Sequence, residues 1–315
     1  MLNNIIFMGT PEFAVPTLEL LSKTKYKPIL CITQPDRPKG RKKRLLPPAI
    51  KIKALELNIP LIQPENINSR ESIAEIQKTN PDIIVTVAYG GYLKREIRRL
   101  PEFGCINLHP SLLPKYRGSA PVNYALFNNE KFTGNTIFKI FAEMDAGPII
   151  YQRKIRIKEN ECFSELTDRL SKMGAEDVLK VLEKIENNDY ELIKQDDSKA
   201  TFSRKIEKQD LLLDWSLSSE KIRNRVRGLA ERPGVVASFR SKRIKIIETE
   251  IMQNESISKP GTVIDIIKNA GIVVATVDSD LLLKKVQPEG KKIMNAYAFY
   301  IGALIRTGEK FTNGF

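Results

Sequence analysis

The stretch Asp82-Ile-Ile-Val-Thr-Val-Ala88 is a nearly continuous apolar run, and it is predicted to form a buried β-strand. A strand that is apolar on both faces is typical of the centre of a parallel sheet, because helices cover both faces of such a sheet. The run ends in Tyr89-Gly90-Gly91-Tyr92, a glycine pair that would let a flat ligand lie against the main chain. The strand therefore predicts an α/β fold.

Strand patterns and helix patterns alternate on both sides of this run. The other predicted strands cover residues 4–9, 27–33, 60–63, 105–109, 135–141 and 149–157. The predicted helices cover residues 10–23, 48–57, 69–78, 94–100, 122–128 and 164–188, and Thr10 is the expected N-cap of the first helix. This alternation predicts a Rossmann-like, doubly wound, mostly parallel sheet. The first strand lacks the glycine pattern of a dinucleotide site or a P-loop, so neither site is predicted there.

The character of the chain changes after a polar stretch at residues 187–200. A basic helix at residues 220–229 is followed by short strand patterns at residues 236–239, 244–250, 261–267, 272–277 and 281–286. Five short strands separated by turn signals are typical of a small barrel of the oligonucleotide-binding (OB) type. We therefore expect a catalytic domain over residues 1–188, a linker over 189–205 and an OB-like domain over 206–315.

Composition narrows the function classes. The 315 residues carry 51 Lys and Arg against 38 Asp and Glu, a net charge of +13, which favours a polyanionic partner but also fits a merely lysine-rich surface. Three scattered cysteines and a single histidine make a metal cluster unexpected. No signal-peptide pattern and no long apolar run are found, so we expect a soluble, cytoplasmic protein.

The single histidine lies in Cys105-Ile-Asn-Leu-His-Pro-Ser-Leu-Leu-Pro-Lys-Tyr-Arg-Gly118. Asn107 and His109 are two residues apart, which places both side chains on one face of a strand. The carboxyl end of a parallel strand is where open α/β sheets bind ligands. Asn107 can donate through its amide, and His109 can exchange a proton near neutral pH. The alternative is a buried histidine that is only hydrogen-bonded within the core. The polar residues near it and the loop stiffened by two prolines favour a reactive site instead.

Two further stretches carry candidate residues. Asp145 follows a predicted strand and precedes Ala-Gly-Pro, so its carboxylate is a candidate partner for His109, although aspartate in this pattern also serves turns. The stretch from Gln34 to Arg44 contains six basic and no acidic residues from Arg37 onward. Its prolines and glycine predict an exposed loop without helix or strand. This loop would either bind phosphates or be only a solvated surface loop.

Several of these stretches together resemble the 10-formyltetrahydrofolate-dependent formyltransferases, and among them the group that acts on methionyl-tRNA. The resemblance covers nearly the whole chain. It rests on Met8-Gly-Thr-Pro-Glu-Phe-Ala14, Gln34-Pro-Asp-Arg-Pro-Lys-Gly-Arg41, Val87-Ala-Tyr-Gly90, Asn107 to Gly118, Met144-Asp-Ala-Gly147, Ile206-Glu-Lys208, Asp214-Trp215 and Gln287-Pro-Glu-Gly-Lys-Lys292.

The resemblance implies transfer of a formyl group from 10-formyltetrahydrofolate to the α-amine of methionyl-initiator tRNA, without a metal and by a monomer. It implies catalytic roles for Asn107, His109 and Asp145. The folate contacts that it implies are Ser111, Leu112, Leu113, Pro114, Ala88, Tyr89 and Gly90. The tRNA contacts that it implies are Arg37, Lys39, Arg41, Lys42, Lys43 and Arg44. Three alternatives stay open: formyl transfer to a small amine, hydrolysis of the folate, and a non-catalytic tRNA-binding protein of the same fold.

Overall fold

A computed structural model describes residues 1–39, 44–254 and 256–314 of the chain. The chain divides into two compact units. The first unit comprises residues 1–121, 132–156 and 167–203, and the second comprises residues 122–131, 157–166 and 204–315. Among the described residues no helix combines the length and the apolar character needed to cross a membrane.

A seven-stranded sheet forms the centre of the first unit. Its strands in chain order are β1 (Ile5–Gly9), β2 (Leu30–Ile32), β5 (Leu61–Ile62), β6 (Ile83–Val87), β7 (Cys105–His109), β9 (Phe132–Lys139) and β10 (Ile149–Arg156). They lie in the spatial order β10-β9-β7-β6-β1-β2-β5. The five strands from β7 to β5 are parallel, while β9 and β10 join antiparallel at one edge. The predicted doubly wound, mostly parallel sheet is therefore confirmed.

Helices cover both faces of this sheet. They are α1 (Val15–Ser22), α2 (Ala49–Glu56), α3 (Arg70–Lys78), α4 (Arg95–Arg98) and α6 (Phe163–Glu186). Alternate strand residues feed two cores, because successive side chains of a strand point to opposite faces. Ile83, Val85 and Val87 share one core with side chains of α1, α2 and α6, whereas Ile84 shares the other with side chains of α3 and α4.

The second unit is built on an antiparallel sheet. Its elements are α5 (Pro121–Phe127), α7 (Ser219–Leu229), β12 (Val235–Phe239), β13 (Lys242–Ile251), β14 (Val263–Ile267), β15 (Gly271–Ala275), β16 (Asp280–Pro288), β17 (Met294–Asn295), α8 (Ala296–Ala303) and β18 (Phe311–Asn313). The sheet runs β14-β15-β16-β13-β12-β18 and curls until main-chain hydrogen bonds join Val263 to Glu309 and Phe311 to Gly261. This curled sheet confirms the predicted OB-like fold, although β17, α8 and β18 were not predicted. The predicted domain boundaries at 188 and 206 stay a prediction.

Two local predictions were wrong. Residues of the stretch 34–44 form β3 (Arg37–Lys39), which pairs antiparallel with β4 (Arg44–Leu46) as an isolated ribbon. Proline is compatible with such a ribbon, since each strand has a free edge that needs no N–H donor. Thr10 does not cap α1: a 3-10 turn precedes the helix, and the Thr10 hydroxyl donates instead to the carbonyl of Tyr89 at 2.8 Å.

A second two-stranded sheet includes residues that follow β7 in the chain. It consists of β8 (Arg117–Gly118) and β11 (Phe202–Ser203), which pair in parallel. The polar stretch that separates α6 from β11 thus returns to the first unit, and Gln195 within it is only 5% exposed. This arrangement brings a segment far along the chain next to the residues that follow His109.

Candidate active site

Asn107 lies on β7 with its amide orientation set by the neighbouring strand. The Thr86 hydroxyl directs its single proton to Asn107 Oδ1 at 2.6 Å, and its oxygen also lies 3.0 Å from the Ile106 carbonyl oxygen. With Oδ1 accepting from Thr86, the Asn107 NH₂ group is the end left to donate to a ligand. Thr86 was not predicted as a site residue, although it is the one polar residue within the apolar run of β6.

His109 ends β7 and is almost fully buried, with 4% of the residue exposed. Its Nε2 atom lies 2.8 Å from the carbonyl oxygen of Tyr116. A carbonyl oxygen can only accept, so Nε2 carries a proton and donates it. The other ring nitrogen, Nδ1, faces Asp145, with 3.7 Å between Nδ1 and Oδ2.

Asp145 reaches the site from the loop between β9 and β10. Its Oδ2 atom also accepts a 2.8 Å hydrogen bond from the backbone N–H of Gly118. Asp145 has a φ of +52°, a left-handed conformation that costs about 1–2 kcal/mol for a residue other than glycine. The surrounding contacts therefore hold Asp145 in a backbone conformation that is unfavourable for an isolated aspartate.

The structure thus brings the three predicted catalytic side chains together. Asn107 and His109 lie on one face of β7, and the Asp145 carboxylate lies beside the imidazole. The 3.7 Å separation between Nδ1 and Oδ2 is within ion-pair range but longer than a hydrogen bond. Such a set can stabilise a developing oxyanion and move a proton.

The predicted folate stretch after β7 is held by a buried hydroxyl. Thr136 Oγ1 donates to the Ser111 carbonyl at 2.6 Å and accepts from the Leu113 N–H at 3.1 Å and from Gln152 Nε2 at 2.9 Å. Gln152 Nε2 also donates to the Leu113 carbonyl at 2.9 Å, and Ser111 Oγ donates to the Lys115 carbonyl at 2.6 Å. Ser111 and Leu113 are buried, whereas Leu112 and Pro114 are half-buried. The loop is therefore held in place by polar side chains of β9 and β10.

Thr136→Val is expected to loosen this loop without touching the catalytic side chains. The substitution leaves Ser111, Leu113 and Gln152 each without one hydrogen bond, and we expect stability to fall by about 2–3 kcal/mol. The KM for the ligand bound by the loop should rise about tenfold with kcat little changed, since the effect is on binding. Calorimetry and steady-state kinetics measure the two effects.

Thr17→Val on α1 is the matched control. Thr17 is fully buried, and within the described part of the chain its hydroxyl has no hydrogen-bond partner. The same chemical change should therefore alter stability there by less than about 0.5 kcal/mol or increase it. Equal destabilisation at Thr17 and Thr136 would contradict the role given to the Thr136 hydroxyl.

The second predicted folate stretch, Ala88 to Gly90, exposes main chain. Ala88 and Gly90 are exposed and have φ angles of +48° and +81°. The Tyr89 ring is buried in the core shared with α3 and α4, and burial raises the pKa of its hydroxyl to about 12. Any ligand at this loop therefore meets the backbone of the three residues and not the tyrosine ring.

Three of the predicted tRNA-contacting residues, Arg37, Lys39 and Arg44, lie on the β3–β4 ribbon. Arg37 is exposed and forms an ion pair with Glu65 at 2.8 Å, and Arg44 is exposed on the facing strand. Lys39 ends β3. Arg41, Lys42 and Lys43 lie outside the described residues. In the sequence, the ribbon lies far from Asn107, His109 and Asp145. Its described residues Arg37, Lys39 and Arg44 are positively charged.

Sequence reasoning missed three groups that support the site. They are the Thr86 hydroxyl, the Gly118 backbone N–H and the Gln195 side chain. A threonine inside an apolar strand was a usable signal for the first. Neither of the others had a local signal, because each acts through a contact between residues far apart in the chain.

Comparison with known proteins identifies the family of this chain. The formyl transferase family model matches residues 3–182, and the model for the formyl transferase C-terminal domain matches residues 205–304. The chain belongs to the formyl transferase family.

Curated relatives of similar length are named methionyl-tRNA formyltransferases. One from Thermotoga neapolitana is 39% identical, with 97% of both chains covered, and one from Bacillus subtilis is 39% identical, with 98% of this chain and 97% of the relative covered. Among solved structures, HypX from Aquifex aeolicus in complex with tetrahydrofolic acid shares the fold, with a TM-score of 0.64 at 16% identity. It covers 98% of this chain, which spans about half (48%) of the HypX chain. The sugar 3N-formyl transferase WlaRD has a TM-score of 0.63 at 20% identity and covers 93% of this chain and 100% of its own.

Proposed function

We propose that this protein transfers a formyl group from 10-formyltetrahydrofolate to the α-amine of methionyl-initiator tRNA. The observation that carries the reaction type is the buried His109 imidazole with Asp145 3.7 Å from Nδ1 and Asn107 on the same strand face. Curated relatives at about 40% identity over nearly the whole chain support the acceptor. The reaction belongs to the initiation of translation, so we place it in the cytoplasm, and we propose that the chain acts as a monomer.

In the proposed mechanism, Asn107 and His109 act on the formyl oxygen. As the methionyl amine bonds to the formyl carbon, that oxygen gains negative charge, and the Asn107 NH₂ group donates a hydrogen bond to it. One preorganised donor of this kind contributes about 2.7–4 kcal/mol to transition-state stabilisation. His109 adds positive charge to the site when Nδ1 is protonated.

Asp145 serves the proton transfer. Its carboxylate stabilises positive charge on the imidazole, because opposite charges at this distance favour the charged form. The amine loses a proton as its bond to carbon forms, and the folate nitrogen must gain one as its bond to carbon breaks. His109, backed by Asp145, is placed to carry that proton, so atoms and charge balance without a metal.

Two loops are proposed to bind the folate. The exposed backbone at Ala88 and Gly90 follows β6, and the loop from Ser111 to Pro114 follows the adjacent β7. A Cβ built on Gly90 would meet nothing within 4 Å, so ligand can approach the chain closely there. Adjacent parallel strands end at the same edge of a sheet, which places both loops next to Asn107 and His109.

The deciding experiment follows labelled formyl transfer from 10-formyltetrahydrofolate. We expect label on the methionine of charged initiator tRNA, little on elongator methionyl-tRNA, and none on small amines such as amino sugars. Release of formate without an acceptor would instead indicate hydrolysis, and absence of folate binding would indicate a non-catalytic tRNA-binding protein.

The basic stretch from Arg37 to Arg44 is predicted to bind the tRNA backbone. Replacing Arg41 and Lys42 with alanine should raise the KM for charged tRNA about tenfold. The slope of log K against log salt should become shallower by about one for each phosphate that the variant no longer binds. The KM for the folate should not change. Equilibrium binding at several salt concentrations measures the slope.

Arg70→Ala with Lys78→Ala is the matched control, since it removes two exposed positive charges from the ends of α3. The change in net charge is the same, so an equal effect on tRNA binding would mean that overall charge and not the basic stretch is responsible. A change in the KM for folate in the variant that lacks Arg41 and Lys42 would contradict the proposal that this stretch binds tRNA and not folate.

A further inference from the structure

Gln195 lies in the stretch predicted as a linker, yet all the hydrogen-bonding capacity of its side-chain amide is used. Its Nε2 atom donates to the carbonyls of Asp145 and Gly147, each at 2.8 Å. Its Oε1 atom accepts from Arg117 Nε at 3.1 Å and from Arg117 Nη2 at 2.9 Å. If the amide were reversed, its oxygen would face two carbonyl oxygens and its NH₂ group would face the Arg117 guanidinium, and neither pair could form a hydrogen bond. These contacts therefore define the orientation of the amide.

The two carbonyls that Gln195 binds flank Ala146, at the point where the chain leaves Asp145. Asp145 is in the left-handed region, and a Cβ added to Gly147 would overlap the Lys139 carbonyl, so the loop has little freedom to relax on that side. Gln195 closes the other side. The main chain of Asp145 is therefore fixed by a residue 50 positions later in the sequence.

Arg117 connects this contact to the second anchor of Asp145. The Arg117 side chain is buried and also binds Asp197 Oδ1 at 2.7 Å. The next residue, Gly118, donates its N–H to the Asp145 carboxylate. Strand β8 thus holds Asp145 twice, through Gln195 at the main chain and through Gly118 at the carboxylate.

We propose that Gln195 is a positioning residue for the reaction, which acts by holding the Asp145 loop so that the carboxylate stays beside His109 Nδ1. This inference rests on the proposed function, in which Asp145 serves His109. A displacement of about 1 Å in a catalytic group can cost up to 100-fold in rate. Gln195 itself does not touch a reacting atom.

Gln195→Glu isolates the donating half of the side chain. The carboxylate still accepts from buried Arg117, so the fold is kept, but it turns an oxygen towards the carbonyls of Asp145 and Gly147. We expect kcat to fall about 10- to 100-fold, with the KM values for folate and tRNA within about twofold of the wild type. Gln195→Met, which removes both the donor and the acceptor, should reduce kcat as much and also lower thermal stability.

Two comparisons separate positioning from a merely structural role. Asp197→Ala removes the other partner of Arg117 and should leave kcat within about twofold. In an Asp145→Asn background, Gln195→Glu should cause almost no further decrease in kcat, because the group that it positions no longer has its charge.

Retention of kcat in Gln195→Glu, an effect carried by KM alone, or fully additive effects in the double variant would each overturn the proposal. If the wild-type protein transfers no formyl group, the proposed function fails instead. The two failures are therefore distinguishable in one set of assays.

Discussion

Asn107→Ala is expected to lower kcat by about 10²–10³-fold while the KM values change little. Oδ1 accepts from the Thr86 hydroxyl at 2.6 Å, which leaves the Asn107 NH₂ group to donate to the formyl oxygen in the proposed mechanism. Alanine removes this donor, whose contribution is made mainly after negative charge develops on the formyl oxygen. Asp145→Asn should have an effect of similar size, since it removes the charge beside His109 Nδ1. Single-turnover kinetics with charged initiator tRNA measure the chemical step.

Asp82→Asn is the matched control for the aspartate. Asp82 Oδ2 also accepts backbone N–H groups, from Asn3 at 2.7 Å and Asn4 at 2.8 Å, but it lies just before β6 and not at the end that leads to the site. We expect its kcat within about twofold of the wild type. A decrease in kcat of less than about tenfold in Asn107→Ala or Asp145→Asn, with folding intact, would remove that residue from the proposed chemistry.

Gly118→Ala is expected to damage both the fold around the site and the rate. Gly118 has a φ of +113°, and a Cβ there would overlap the Ser203 carbonyl, so β8 and β11 must move apart. That movement carries away the N–H that donates to Asp145 at 2.8 Å. We expect kcat to fall about 100-fold and stability to fall by about 2 kcal/mol or more. Steady-state kinetics and calorimetry measure the two quantities.

Gly290→Ala separates the two causes. Gly290 has a φ of +74°, but a Cβ there would meet nothing within 4 Å. This variant should be destabilised only by the cost of the left-handed conformation, about 1 kcal/mol, and keep full activity. A reduced kcat in Gly290→Ala, or a wild-type kcat in Gly118→Ala, would show that the contact between Gly118 and Ser203 does not support the site.

The hydrophobic pattern was enough to predict the sheet of the first unit. The residues of β1 and β6 are almost all apolar on both faces because helices cover both, and this double burial is a local signal. The Asn107 and His109 pair was also readable, since strand periodicity places them on one face. The proximity of Asp145 to His109 was inferred from a matching motif, and the structure gives 3.7 Å between His109 Nδ1 and Asp145 Oδ2.

Other features had no local signal. The β3–β4 ribbon contains prolines and charges that normally indicate a loop, and it pairs only with itself. The pairing of β8 with β11 joins residues far apart in the sequence. Each strand is only two residues long, which is too short to show an alternating pattern. The Thr10 hydroxyl was assigned to a helix cap because that is its usual local use, whereas a distant carbonyl competes for it.

The return of residues 195–203 to β8 has a consequence for chimeras made from this chain and a relative. A splice at the end of α6 would import a foreign Gln195 and a foreign β11 against the native Arg117 and Gly118, and so would mismatch the support of Asp145. A splice after Ser203 keeps each of these partners from the same parent. Exchange of the residues after Ser203 between relatives is therefore best made after β11 and not at the end of the long helix, where the sequence alone would place the boundary.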